Sequence, residues 1–182
     1  MADRILIDAC VLYPTVMRAM VLGVAGRGLF EPVWSARILE EWARAAVKLG
    51  AQGEAQARGE IALVRAAWTG AERPAAPHVA QRLWLPDPND IHVLATAVDA
   101  SADAIMTLNA KDFPRGLLVE EGLSRVEPDS YLIGLLSQHD RQIVEVAEEV
   151  LADARRLSGE DWEMRALLKK ARLPRLAKAL TR

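Results

Sequence analysis

Arg4-Ile5-Leu6-Ile7-Asp8 is a short apolar run closed by an acid, and its reading decides the fold. Apolar at Ile5, Leu6 and Ile7 and too short for a helix, it predicts a strand covered on both faces, as in a parallel sheet. The segments after Asp8 agree with a strand–helix alternation. Pro14 and Thr15 open a helix to about Gly26, with proline in the first turn where its missing N–H is not needed. Leu29–Trp34 reads as a second strand. Ser35 is an N-cap for a helix to about Leu49, and Gly50 and Gly53 interrupt before another helix over Glu54–Trp68. Thr69–Pro77 is a loop, with Gly70, Pro74 and Pro77 as its breakers. Asp103–Leu108 is the next strand, with Asn109–Pro114 as the loop at its end. Leu117–Val119 is expected as one more short strand, and Pro128-Asp129 opens the first of several closing helices. Strand and helix alternate through the first part of the chain, which implies a mostly parallel sheet covered by helices.

In such sheets the functional crevice lies beyond the carboxyl ends of the strands. Asp8 closes the first strand, Asp112 lies just past a later one, and Asp90 starts the apolar helix Ile91–Val98. Glu40 and Glu41 ride on the helix that Ser35 caps. Each acid alone has an ordinary explanation. Asp8 and Asp112 suit turns, Asp87 with Pro88 and Asp90 suits a helix start, and Glu41 suits a solvated face. Together, carboxylates in one crevice repel one another unless a cation neutralises them, and hard oxygen donors suit Mg2+ or Mn2+. Such a centre serves phosphodiester hydrolysis. Adjacent helical residues point about 100° apart, so one glutamate at most faces the crevice, and the spacing from Ser35 favours Glu41. Asp87 is the better N-cap and Asp90 the better ligand.

Composition narrows the field. The chain has 182 residues, 51% hydrophobic and 5% aromatic, enough for a large aliphatic core. The single cysteine, Cys10, excludes an internal disulfide framework and a cysteine-rich zinc site. With no histidine placed to activate it, Cys10 is expected as a buried small hydrophobe. His78, His92 and His139 are scattered; His92, two residues after Asp90, is expected in a structural role near the site. No phosphate-binding glycine loop, GxSxG or HExxH occurs. No signal peptide or membrane span is read, and a cytoplasmic protein is expected. The net charge is −2, but Met164–Arg182 carries seven basic residues and no acid, leaving −9 for the rest. That tail reads as an amphipathic helical segment with Leu167, Leu168, Leu173 and Leu176 packed inward, or as a phosphate-contacting arm.

Four blocks carry a family resemblance. They are Leu6–Tyr13 (LIDACVLY), Ser35 with Glu41 six residues on, Leu85–Ala95 (LPDPNDIHVLA) and Thr107–Pro114 (TLNAKDFP). In this order they resemble the signature of PIN domains, and the Leu-Pro-Asp-Pro form resembles the VapC-like branch found as toxins of toxin–antitoxin pairs. The resemblance implies a three-layer α/β/α sandwich with a mostly parallel central sheet. The blocks span residues 4–135 or so, which sets a PIN-like catalytic domain over residues 1–135; with Arg156–Glu160 the only soft linker, 136–182 is expected as a C-terminal helical extension packed on the same domain. The resemblance further implies a Mg2+- or Mn2+-dependent endoribonuclease with Asp8, Glu41, Asp90 and Asp112 as catalytic acids and Asp8, Asp90 and Asp112 on the metal. Thr107 and Asn109 would shape the loop holding Asp112. RNA is then the substrate, a homodimer the assembly and an antitoxin the inhibitor. Two positions depart from the branch: Cys10 stands where asparagine is usual, and Ile91 where arginine is frequent. A polar group lost beside Asp8 weakens metal orientation. Two other classes stay open. One is a catalytically weak or silent PIN-like module that binds a protein. The other is a phosphoryl-transfer α/β protein; its dehalogenase-like form wants a second Asp at position 10, and its receiver form wants paired acids not found here.

Overall fold

A computed structural model describes residues 2–181. In chain order the elements are β1 (Asp3–Ile7), α1 (Ala9–Leu12), α2 (Thr15–Gly26), β2 (Phe30–Ser35), α3 (Ala36–Ala46), α4 (Ala51–Ala67), β3 (Glu72–Arg73), α5 (Pro77–Ala80), α6 (Ile91–Asp99), β4 (Ala104–Met106), α7 (Arg115–Glu120), β5 (Ser124–Val126), α8 (Pro128–Leu136), α9 (Asp140–Ser158), α10 (Met164–Lys170) and α11 (Pro174–Leu180). Single 3-10 turns at Val47–Leu49 and Pro88–Asp90 follow α3 and precede α6. The five strands form one all-parallel sheet in the order β3-β2-β1-β4-β5, flanked by helices, an α/β/α fold of the PIN type.

The chain divides into two compact units, residues 1–13 with 31–125, and residues 14–30 with 126–182. In the first, β1 is central because Ile5, Leu6 and Ile7 are all buried and can be covered on both faces. β1 pairs with β4 in the register Ile5↔Ala104, Leu6↔Ile105, Ile7↔Met106. The order turns from one side to the other at β1, so the carboxyl ends of β1 and β4 flank a topological switch point. Asp8 and Thr107 are the next residue of each strand, and the pairing brings them together there. α3 forms because Ser35 Oγ accepts from Ile38 N at 3.3 Å, and Ile38, Leu39, Trp42, Ala43 and Ala46 recur on its inward face.

In the second unit α2 packs with α8 and α9, and α10 and α11 pack on α9 and α8. α9 buries Ile143, Val146, Ala147 and Val150 at helical spacing and stops at Gly159, whose φ of +70° is the left-handed cap. Gly23 lies where a Cβ would come within 2.7 Å of Val146, so α2 and α9 approach as closely as a glycine permits. The basic tail is two short helices. Leu167, Leu168, Leu173 and Leu176 are all buried, as the amphipathic reading requires, and Lys170 sits over the Trp162 ring at 4.6 Å. Arg182, counted in that tail, lies outside the described residues.

Three expectations are corrected. Leu117–Val119 is not a strand but the middle of α7, because Pro114 fixes a helix start; the last strand is β5, a few residues on. The Thr69–Pro77 loop contains β3, a two-residue strand paired with the end of β2. The Ser35 helix ends at Ala46 and tightens to a 3-10 turn before Gly50. Among the described residues no helix is long and apolar enough to cross a membrane.

The start of α11 depends on a residue far back in the chain. Asp129 is buried, and its two carboxylate oxygens accept from Arg175 N and Leu176 N, both at 2.9 Å. These are first-turn amides with no partner inside their own helix. Asp129→Ala is therefore expected to cost about 1–2 kcal/mol. Urea denaturation should show a lower midpoint with an unchanged slope; an unmoved midpoint would show that the cap adds nothing.

Candidate metal and catalytic site

Asp8 occupies the N-cap position of α1, yet its side chain makes no capping bond. The ordinary turn-capping role is thus taken by its backbone, as Val11 N donates to Asp8 O at 2.9 Å, and the carboxylate is left for other partners. Thr107 Oγ1 donates to Asp8 Oδ2 at 2.7 Å and Cys10 Sγ donates to the same oxygen at 3.1 Å. Asn109 N in turn donates to Thr107 Oγ1 at 3.0 Å, and Leu108 N to Cys10 Sγ at 3.3 Å. The loop after β4 is thereby tied to the end of β1. Further along it, Asn109 Nδ2 donates to Asp112 Oδ2. Arg125 donates to the carbonyls of Ala110 and Phe113, and Phe113 is fully buried, so Asp112 sits on an anchored turn.

Asp87 and Asp90 divide their labour as their positions suggest. Asp87 Oδ1 accepts from Asn89 N at 2.9 Å and Asn89 Nδ2 at 3.0 Å, the work of a cap. Asp90 sits at the N-cap of α6 with no side-chain capping bond. Its carboxyl is pushed up from 3.8 to about 6, first by burial, then by the charges of Asp8, Asp87, Asp112 and Glu41. Three other elements thus bring carboxylates close enough to raise the proton affinity of Asp90 when no cation is there.

The two glutamates of α3 face different ways. Glu40 is bound by Arg44 at 3.2 Å and by Arg58 of α4 at 3.0 Å, a surface network. Glu41 turns instead toward α6, with Oε1 at 2.8 Å from His92 Nε2 and 3.4 Å from Arg37 Nε. The His92 contact is close but misaligned, and both ring nitrogens are enclosed without a hydrogen-bond partner. Arg37 also reaches Asn89 O at 3.3 Å and so ties α3 to the turn before Asp90.

As the side chains stand, no three His, Cys, Asp or Glu residues among those described are drawn close enough to hold a metal ion. Burial first, and then the charges of Asp8, Asp87, Asp112 and Glu41, push the Asp90 carboxyl up. The donor set itself fits Mg2+ or Mn2+, being carboxylate oxygens with uncompensated charge in their midst.

Sequence reasoning missed the polar work of Cys10. The expected small hydrophobe is a hydrogen-bond donor to Asp8, with its thiol pushed up to about 12 by burial and by the Asp8 charge. The i, i+2 spacing from Asp8 was the available signal. It missed Arg37 too, whose spacing to Glu41 is i, i+4.

The raised Asp90 has a consequence for stability. Its folded pKa lies above the unfolded value, so the folded protein holds the proton more tightly and loses stability as pH rises from 3.8 to about 6. The full penalty stands above that range. Asp90→Asn removes it, and because the carboxyl is partly exposed the gain is about 1 kcal/mol after solvent screening. In chelator the variant should melt above the parent at neutral pH, and the two should converge toward pH 3.8. A variant that melts lower at neutral pH would show that Asp90 is mainly structural.

A family profile of the PIN domain matches residues 4–111. That span includes Asp8, Glu41, Asp90, Thr107 and Asn109 and stops one residue short of Asp112. No curated protein and no solved structure gives a significant match. PIN domains are in general metal-dependent nucleases that use divalent ions. With the profile covering more than half its length and an all-parallel sheet flanked by helices, this chain belongs to the PIN-domain family.

Proposed function

We propose that the protein is a Mg2+- or Mn2+-dependent endoribonuclease, with Asp8, Asp90 and Asp112 as metal ligands and Glu41 as the fourth catalytic acid. The observation that carries this reading is the hydrogen-bonded frame that ties Asp8 to the β4 loop bearing Asp112, with the Asp90 side chain making no capping bond; the upward shift of Asp90, from burial first and then from nearby carboxylates, supports it. Bound among these acids, a divalent cation supplies an activated water and neutralises charge on the phosphate. The chain's own residues do the rest. Thr107 and Cys10 both donate to Asp8 Oδ2, which fixes the plane of that carboxylate and leaves its other oxygen for a ligand. Asn109 does the same for Asp112. Arg37, more than half exposed beside Glu41, offers positive charge to an incoming phosphate in an otherwise acidic crevice. Glu41 beside His92 is placed to orient water at the edge of the acids. RNA is favoured over DNA by the family resemblance, and single-stranded segments are the form whose backbone enters a narrow crevice.

The same resemblance supports a biological setting. The protein acts as the toxin of a toxin–antitoxin pair in the cytoplasm, forms a homodimer, and is silenced by a cognate antitoxin. Induced expression should arrest growth with the wild type and not with Asp8→Asn. A second reading, a PIN-like module with little or no catalysis, is favoured by one observation: no three of the described acids stand in a ligating set.

Cleavage of single-stranded RNA with Mn2+, against the same reaction in chelator, separates the two. Asp8→Asn should lower cleavage by about 100-fold or more, the scale at which lost metal orientation acts. It should also weaken Mn2+ binding in calorimetry. Asp87→Ala should cost about 1 kcal/mol of stability, as for a lost cap, and spare cleavage. Equal Mn2+ binding by wild type and Asp8→Asn would remove Asp8 from the metal, and absence of metal-dependent cleavage by the wild type would leave the silent module.

A further inference from the structure

Beside the acids, the start of α3 and the helices α5 and α6 enclose a cavity of about 280 Å3. Ala76, Pro77, Ala80 and Ala95 give it mostly apolar walls, and Ser35, Arg37 and His92 add polar groups. Nothing in the proposed chemistry uses this space. We infer that it receives a nucleobase of the RNA strand whose phosphate lies at the acids, so that this protein selects its cleavage site partly by the base held there. The inference rests on the ribonuclease reading.

Size, surface and position carry it together. Pockets for drug-sized ligands run from about 300 to 1,000 Å3, so this one suits a single flat heterocycle rather than a peptide segment or a helix. A base drawn out of a strand loses its stacking neighbours and needs apolar cover on its faces, which alanine methyls and a proline ring provide. The cavity and the acids share two side chains. His92, in its wall, lies 2.8 Å from Glu41, and Arg37, also in its wall, lies 3.4 Å from Glu41 and donates to Asn89 O next to Asp90. A nucleotide supplies both a ring for the cavity and an anionic group within reach of Arg37.

The polar groups offer a means of telling bases apart. Ser35 Oγ accepts from Ile38 N and still has its own proton to give, so it favours a base edge that presents an acceptor. Both His92 ring nitrogens are enclosed and lack a hydrogen-bond partner, a deficit that a turn of the ring toward a bound base would relieve.

The probes are the four nucleoside 5′-monophosphates and ribose 5-phosphate, which has the same charge and no base. Each is titrated into the full chain in Mg2+ buffer and followed by amide NMR. At least one nucleotide should bind about tenfold tighter than ribose 5-phosphate, a difference of about 1.4 kcal/mol. It should shift the amide signals of Ala36, Ala80 and His92. Ala80→Leu on α5 and Ala36→Leu on α3 each enlarge a lining side chain, and either should reduce nucleotide binding to the level of ribose 5-phosphate. Ala36 is exposed, so its variant remains informative if the half-buried Ala80 variant folds poorly; melting curves establish which variants are folded. Equal binding of all five compounds by the wild type overturns the inference, as does full nucleotide binding by a folded, filled variant. The ribonuclease reading fails differently. Base-dependent binding without metal-dependent cleavage removes the nuclease and keeps the base site, whereas cleavage without base-dependent binding removes only the base site.

Discussion

The pairing of Ile7 with Met106 is the constraint on which the site depends. It holds the carboxyl ends of β1 and β4 level, so the next residue of each strand, Asp8 and Thr107, meets the other across the end of the sheet at 2.7 Å. A slip of one residue would turn the Asp8 side chain to the opposite face and leave the Thr107 hydroxyl buried without its acceptor. Because Ile5, Leu6, Ile7, Ile105 and Met106 are buried on both faces, apolar burial alone does not choose the register, and the hydrogen bond between Asp8 and Thr107 helps to select it. That polar pair in turn fixes the loop that carries Asn109 and Asp112.

Around this pair the protein accepts an electrostatic conflict. Glu40, Asp87 and Asp129 are satisfied by arginines, backbone amides or an asparagine side chain, as structural acids are. Asp90 is not; it is partly enclosed, faces four other carboxylates and holds a proton well above the ordinary range. A sequence selected for stability alone would not keep it, and local conflicts of this kind mark functional positions. The contrast between Asp87 and Asp90, three residues apart on one turn, makes the distinction concrete. One carboxylate serves the backbone, and the other makes no capping bond.

Much of this was legible in the sequence because it rests on local chemistry. Ser35, Asp87-Pro88, Gly159 and Pro174 announce helix ends through hydrogen bonds and φ angles that need no tertiary information. The apolar run before Asp8 announces a central parallel strand. What escaped depends on partners distant in sequence. β3 is two charged-residue positions that become a strand only through pairing with Trp34 and Ser35. Leu117–Val119 is too short for periodicity to separate helix from strand, and the proline at 114 decided it. The sequence favoured Glu41 over Glu40 by its spacing from Ser35, but the partners that separate them, Arg58 of α4 for Glu40 and His92 of α6 for Glu41, are distant in sequence. The base-sized cavity was invisible because its walls come from three helices and consist largely of alanines, which carry no chemical signal.

Cys10 shows that a small thiol can do polar work at a partly buried position. The place beside Asp8 calls for a hydrogen-bond donor, a role that an asparagine amide could also fill. Here the thiol supplies it, and the site itself keeps the thiol protonated, because burial and the Asp8 charge push it up to about 12. The two groups are mutually consistent: while Asp8 is a carboxylate it both receives the hydrogen bond and suppresses loss of the proton that makes it. At neutral pH the thiol is then held protonated, which does not suit a nucleophile. His92, the histidine beside this crevice, lies against Glu41 rather than the sulfur. On the proposed reading the chemistry belongs to the carboxylates, and Cys10 acts through the orientation of Asp8. A thiol donates more weakly than an amide or a hydroxyl, so Asp8 is held chiefly by Thr107, and the strand register that places Thr107 matters more here than in a protein with asparagine at this position.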